Sequence, residues 1–241
     1  MRREMRRFIF ILFLFLALDS FAQEVLVRLP VQPCDVPASI QAAPLYGKKI
    51  LLFGDSYVKN AGCPVQETWH YKLAEKYNME YHNWGANGNC IAYEWYTEKF
   101  GEPMYLRYTT LPDLEADYVV VIGGHNDAVL MHRYGEGTEF FCSKLDTLCA
   151  GLREKYPSAK ICFVTPWNVP QPMYKETAQA MQEVCGRYGI PVFDATKNSG
   201  IRVRYKGFRR LYFQGEDDTA HLNAAGHDLF LPRIEPFLLA L

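Results

Sequence analysis

Short apolar runs alternate along this chain with stretches whose apolar residues recur every four positions. Lys49-Ile50-Leu51-Leu52-Phe53 is a compact apolar run closed by Gly54, which predicts a buried strand followed by a turn. Tyr118-Val119-Val120-Val121-Ile122 is the clearest strand in the sequence, and Lys160–Val164 is another. Residues 80–83 and 191–194 suit two shorter strands. Helices are expected over 66–77, where Trp69, Leu73 and Tyr77 share one face, and over 140–155 and 174–188. Asn223 caps a last helix, which Pro232 and Pro236 should kink or interrupt. Residues 91–115 are rich in aromatics without a clean period, and a polar, basic stretch precedes the last helix.

Strands that are apolar throughout, separated by amphipathic helices, indicate an α/β domain whose parallel sheet is covered on both faces. Ligands of such sheets bind outside the carboxyl ends of the strands. The N-terminus stands apart from this pattern. Arg2, Arg3, Arg6 and Arg7 precede an unbroken apolar run from Phe8 to Leu18, and Asp19-Ser20-Phe21-Ala22 follows. This is the layout of a secretory signal peptide, with cleavage expected after Ala22 and a secreted or periplasmic product. An apolar helix of that length reaches about 17 Å, short of a hydrocarbon core of roughly 30 Å, so no stable membrane insertion is expected. The expected organisation is a signal peptide over 1–22, an extended lead-in without firm structure over 23–47, marked by Pro30, Pro33, Pro37 and Pro44, and one domain over 48–241.

Composition narrows the class of partner. The chain has 241 residues, of which 49% are hydrophobic, enough for a substantial core. Residues 1–22 hold four arginines and two acids, so the remainder carries 22 basic and 25 acidic residues, net −3. A mildly acidic protein has no electrostatic reason to bind nucleic acid. Export permits disulfides, but the cysteine count is seven, so at least one thiol stays outside an intramolecular pair. Cys162 reads as core, Cys142 and Cys149 share a helix face, and a Cys63–Cys90 bridge is one pairing to test. No Cys/His spacing suggests zinc.

Four polar segments follow strands or precede the last helix: Gly54-Asp55-Ser56-Tyr57, Asn83-Trp84-Gly85-Ala86-Asn87-Gly88-Asn89, Gly123-Gly124-His125-Asn126-Asp127 and Asp218-Thr219-Ala220-His221. Singly, each reads as a turn, a loop, a capped helix start or a surface pair. Together, at one edge of the sheet, they make a kit for acyl transfer. Ser56 offers a hydroxyl, weak without a base. His221 can take its proton, and Asp218 can hold the imidazole in the right tautomer. The Ser56 and Gly88 N–H groups and the Asn126 amide can face a developing oxyanion, with glycine at 88 letting backbone approach the substrate. Asp217 is the neighbour of Asp218, and spacing favours Asp218. Asp55 and Asp127 read as carboxylates that fix their loops. His70 and His82 read as structural, His132 and His227 as surface or helix-face residues.

In order and context these blocks resemble the SGNH/GDSL hydrolase family, over residues 49 to about 235. The resemblance implies a flavodoxin-like three-layer α/β/α fold with a central parallel sheet. It also implies a Ser-His-Asp mechanism through an acyl-enzyme, without metal or cofactor. Ser56, Asp218 and His221 would be catalytic, and Ser56, Gly88 and Asn126 would form the oxyanion hole. Tyr57 stands where the family often has leucine; Thr219 and Leu222 stand where it often has glycine and proline. Tyr57, His125 and Trp167 are expected to wall the substrate site. The substrate implied is a small-molecule or glycan ester, for example an acetylated polysaccharide. A lipase or lysophospholipase is the competing enzyme class, and a non-catalytic glycan-binding module the competing binding class. The six basic residues Lys197, Arg202, Arg204, Lys206, Arg209 and Arg210 suit either an anionic substrate or a solvated loop.

Overall fold

The computed structural model describes residues 36–241. The signal peptide expected over 1–22, residues 23–35 of the lead-in, and Cys34 lie outside the described residues. Five strands, β1 (Lys49–Gly54), β2 (Glu80–Gly85), β3 (Tyr118–Ile122), β4 (Lys160–Val164) and β5 (Val192–Phe193), form one parallel sheet in the order β2-β1-β3-β4-β5. The helices are α1 (Ala38–Gln41), α2 (Ser56–Lys59), α3 (Trp69–Lys76), α4 (Thr97–Phe100), α5 (Met104–Arg107), α6 (His125–Tyr134), α7 (Glu139–Lys155), α8 (Tyr174–Arg187), α9 (Ala195–Asn198), α10 (Lys206–Tyr212) and α11 (Ala224–Leu239).

Successive strand residues enter opposite layers, as the two-residue period of a strand requires. Ile50, Leu52, Val120, Ile122, Cys162 and Val164 join a core with Leu73 of α3 and Phe230, Ile234 and Leu238 of α11. Leu51, Phe53, Val119, Val121, Ile161 and Phe163 join a second core with Leu145 and Leu148 of α7 and Met181 and Val184 of α8. These are the three layers of an α/β/α sandwich in flavodoxin-like order. The chain leaves β1 for β2 on one side and returns to β3 on the other, so the crevice at the carboxyl ends of β1 and β3 is the topological switch point. The register sets the loops level there, with Gly54 opposite both Gly85 and Ile122, and Ile122 opposite Val164.

Several local expectations change. Within the lead-in, residues 38–41 form a helical turn and Leu45 is fully buried. Pro232 and Pro236 do not interrupt α11, which runs unbroken through both. Its buried residues His227, Phe230, Ile234 and Leu238 recur every three or four positions and tie it to the sheet, which offsets the missing backbone donors. His227 is therefore buried rather than superficial. The Gly123–Asp127 segment opens a ten-residue helix, α6, instead of closing a turn. The Cys63–Cys90 bridge is not formed, because Cys90 is buried in the second core while Cys63 is half-buried elsewhere. Cys149 meets Cys185 instead, Sγ to Sγ 3.7 Å, as free thiols.

Candidate active site

Ser56 is the first residue of α2, directly after β1. Asp55 caps that helix by accepting the Tyr57 N–H at 2.8 Å, which turns the chain sharply off the sheet. The first N–H groups of a helix have no partner within it, so the Ser56 N–H at the start of α2 is left available as a donor. Asp55 is fully buried and its second oxygen has no partner among the described residues. Burial pushes its pKa up to about 7, against the pull of the Tyr57 N–H.

The last block sits just before α11, whose N-cap Asn223 accepts the Gly226 N–H at 3.0 Å. His221 Nε2 lies 2.9 Å from Ser56 Oγ, and His221 Nδ1 lies 2.9 Å from Asp218 Oδ2. The other oxygen of Asp218 accepts the Ala220 N–H at 2.8 Å and the His221 N–H at 3.0 Å. Burial raises the Asp218 pKa, but the hydrogen bonds from His221 and the Ala220 N–H outweigh it and hold the carboxyl below its ordinary value. Asp217 points to solvent, 3.6 Å from Lys206. The three-residue spacing from Asp218 lets one carboxylate bind both the ring and the backbone of His221.

The second and third blocks are tied together. Asn126 Nδ2 donates to the Asn89 carbonyl at 2.8 Å, leaving its other amide hydrogen free. Asp127 is fully buried and accepts the Ile91 and Ala92 N–H groups at 2.9 and 2.8 Å. Gly88 has φ +70°, and a Cβ there would stand 2.6 Å from the Phe100 ring. The glycine is thus required by Phe100, which covers it, as much as by an approaching substrate.

One residue of this site escaped the reading of the sequence. Arg107 Nη2 donates to the Gly54 carbonyl at 2.9 Å and to Asn89 Oδ1 at 3.0 Å; Nη1 donates to the Trp84 carbonyl at 3.0 Å. Its guanidinium lies 4.6 Å from the centre of the Phe53 ring. One planar fork thereby links the ends of β1 and β2 to the loop that carries Gly88. Burial lowers its pKa to about 10, so it stays cationic at neutral pH. Its only trace in the sequence is that it is the sole cation between residues 100 and 117.

The expected walls are also assembled here. Tyr57 stacks on Trp167 with ring centres 5.0 Å apart, and Trp167 Nε1 donates to the Ala220 carbonyl at 2.8 Å. Both rings are buried, so they brace the His221 loop as well as line the space beside Ser56. His125 lies between the Tyr57 hydroxyl, 3.0 Å from Nδ1, and the Tyr174 hydroxyl at 3.2 Å. Burial, with His221 nearby, lowers its pKa to about 4 and keeps it neutral. Of the basic stretch, Arg204 reaches Asn168 at 3.0 Å, while Lys206 and Arg210 pair with Glu216.

The GDSL-like Lipase/Acylhydrolase family matches residues 52–229, a span that takes in all four blocks. The chain belongs to that family. This GDSL hydrolase shares its fold with a solved protein from Lactobacillus plantarum: 22% identity, TM-score 0.69, covering 81% of this chain and 98% of that one. It is similar to a member of the lipolytic G-D-S-L family from Veillonella parvula, at 14% identity and TM-score 0.55, covering 80% and 99% of the two chains. It is also similar to an acetyl xylan esterase, at 17% identity and TM-score 0.59, covering 79% and 99%. No curated protein matches it in sequence. Among the described residues of this GDSL hydrolase, no helix is long and apolar enough to cross a membrane.

Proposed function

We propose that the protein is a serine esterase working through an acyl-enzyme, with Ser56 as nucleophile, His221 as base and Asp218 as its partner. The observation that carries this reading is the relay of two 2.9 Å contacts from Ser56 Oγ through His221 to Asp218. Ser56 Oγ attacks the ester carbonyl carbon as His221 Nε2 takes its proton. The negative charge that develops on the carbonyl oxygen is met by the Ser56 and Gly88 N–H groups and the free hydrogen of the Asn126 amide. His221 then returns the proton to the departing alcohol. A water deprotonated by His221 next attacks the acyl-serine, releasing the carboxylic acid and restoring Ser56. Asp218, kept ionised, holds Nδ1–H and offsets the imidazolium charge.

The substrate we infer is a short-chain, acetyl-type ester of a carbohydrate, cleaved outside the cytoplasm. A recess beside Ser56, walled by Trp69, Ile122, Val164 and Trp167, retains about 10 Å³ of free space, at or below the roughly 10–15 Å³ that holds one water. An acetyl methyl needs the smallest displacement of those rings and a long acyl chain the largest, which favours a short acyl group over a lipid. The likeness to an acetyl xylan esterase and the basic, then apolar, N-terminus support the same reading. The test is hydrolysis of p-nitrophenyl acetate beside Ser56→Ala and of a p-nitrophenyl ester series of rising chain length. Ser56-dependent turnover that falls steeply beyond short acyl groups is the expected result. Equal rates in parent and variant, or a preference for long chains, would remove the nucleophile or the acyl assignment respectively.

A further inference from the structure

A second, more open space lies where α2 meets the loop after β2. It is a groove of about 370 Å³ bordered by Lys59, Gln66, Asn83 and Asn87, with Cys63 and Pro64 in its apolar part. That size falls within the roughly 300–1,000 Å³ of small-molecule sites. Its walls belong to the same elements as the reacting groups. Lys59 ends the helix that Ser56 begins, and Asn87 directly precedes Gly88. The two walls are in contact, since a Cβ on Gly85 would stand 2.5 Å from the Lys59 backbone nitrogen and Asn83 Nδ2 donates to the Val58 carbonyl at 3.0 Å. The groove therefore borders the loop that carries Gly88, and none of its lining residues lines the recess beside Ser56.

Its chemistry is one-sided. No acidic side chain lines it, and Lys59 is a half-buried ammonium without an ion pair or hydrogen bond to any described residue. Several other lysines are matched, Lys48 with Asp117, Lys72 with Asp228, Lys76 with Glu235 and Lys155 with Asp113, whereas Lys175, the other lysine without a partner among the described residues, is exposed and lies outside this groove. The side-chain amides of Gln66 and Asn87 are likewise without a partner among the described residues. An uncompensated cation beside two free amides complements a ligand with one carboxylate and several hydroxyls. Resting on the esterase reading above, we propose that this groove binds a carboxylate-bearing sugar next to the esterified residue. The substrate is then an ester of an acidic, uronate-containing glycan, with Lys59 on the carboxylate and Gln66 and Asn87 on hydroxyls.

The experiment is titration calorimetry of the chain with oligogalacturonate, and with a neutral xylo-oligosaccharide of equal length, at low and high salt. The parent should bind oligogalacturonate, more weakly as salt rises. Lys59→Gln should bind it about tenfold more weakly, the worth of one partly exposed charge-assisted contact, and Lys59→Arg should restore binding. The neutral oligosaccharide should not distinguish parent from Lys59→Gln. Absence of oligogalacturonate binding to the parent overturns the proposal, as does equal binding by Lys59→Gln or an equal loss for the neutral chain. Because binding is read without turnover, these outcomes are separate from any failure of Ser56-dependent hydrolysis.

Discussion

Replacing Arg107 with methionine keeps the length of the side chain but removes a cation and every donor it carries. Three acceptors then lose a bond: the Trp84 carbonyl, Asn89 Oδ1, and the Gly54 carbonyl, which keeps only the Ala86 N–H at 3.0 Å. A buried acceptor left unpaired costs about 1–3 kcal/mol. Arg107 is only partly covered, so water re-solvates some of this, and a total of about 2–4 kcal/mol is expected. For a domain of this size each kcal/mol lowers the melting temperature by roughly 2–4 °C, so the midpoint should fall by about 5–15 °C. The same bonds hold the loop bearing Gly88 and Asn89 against the end of β1. A displacement of about 1 Å there lowers turnover roughly 10²-fold. Thermal unfolding should therefore be recorded beside kcat and KM for p-nitrophenyl acetate, at a temperature where the variant remains folded. Arg107→Lys should recover part of the stability and less of kcat, since an ammonium cannot reach three acceptors as a planar fork does. An Arg107→Met variant with parental melting and parental kcat would refute the reasoning.

Asp218→Asn should lower kcat/KM by roughly 10²–10⁴ because His221 loses its orienting acceptor, whereas Asp217→Asn, altering one exposed ion pair, should stay within about twofold; equal losses in the pair would reverse the assignment. Gly88→Ala must hold φ +70° and push against Phe100, so a loss of about 2–4 kcal/mol is expected with kcat falling more than KM, and an unchanged melting curve would contradict the close approach. Asp55 has its pKa raised by burial from 3.8 to about 7, so its contribution to stability is full below pH 4 and is lost as pH rises through 7. Asp55→Asn is neutral throughout, and its melting temperature relative to the parent should climb between pH 4 and pH 7; a constant gap would sink this account.

The order of apolar runs by itself determined the α/β class, because a strand buried on both faces must be apolar at every position and the helices covering it must be amphipathic. The four polar blocks were legible for a similar reason. Ser56, Asn126 and the Asp218–His221 pair each lie next to a strand end or a helix start, and the spacing of three sets which carboxylate reaches the ring. What tertiary structure alone decided involves partners distant in sequence. Arg107 acts on carbonyls 23 and 53 residues away, and any residue type supplies a carbonyl, so no motif announces the contact. Phe100 makes Gly88 obligatory by standing where a Cβ would go, and the buried face of α11 keeps that helix whole through two prolines. The unmatched charge of Lys59 is equally invisible in a linear sequence, because a counter-ion is missing only with respect to neighbours that folding brings together.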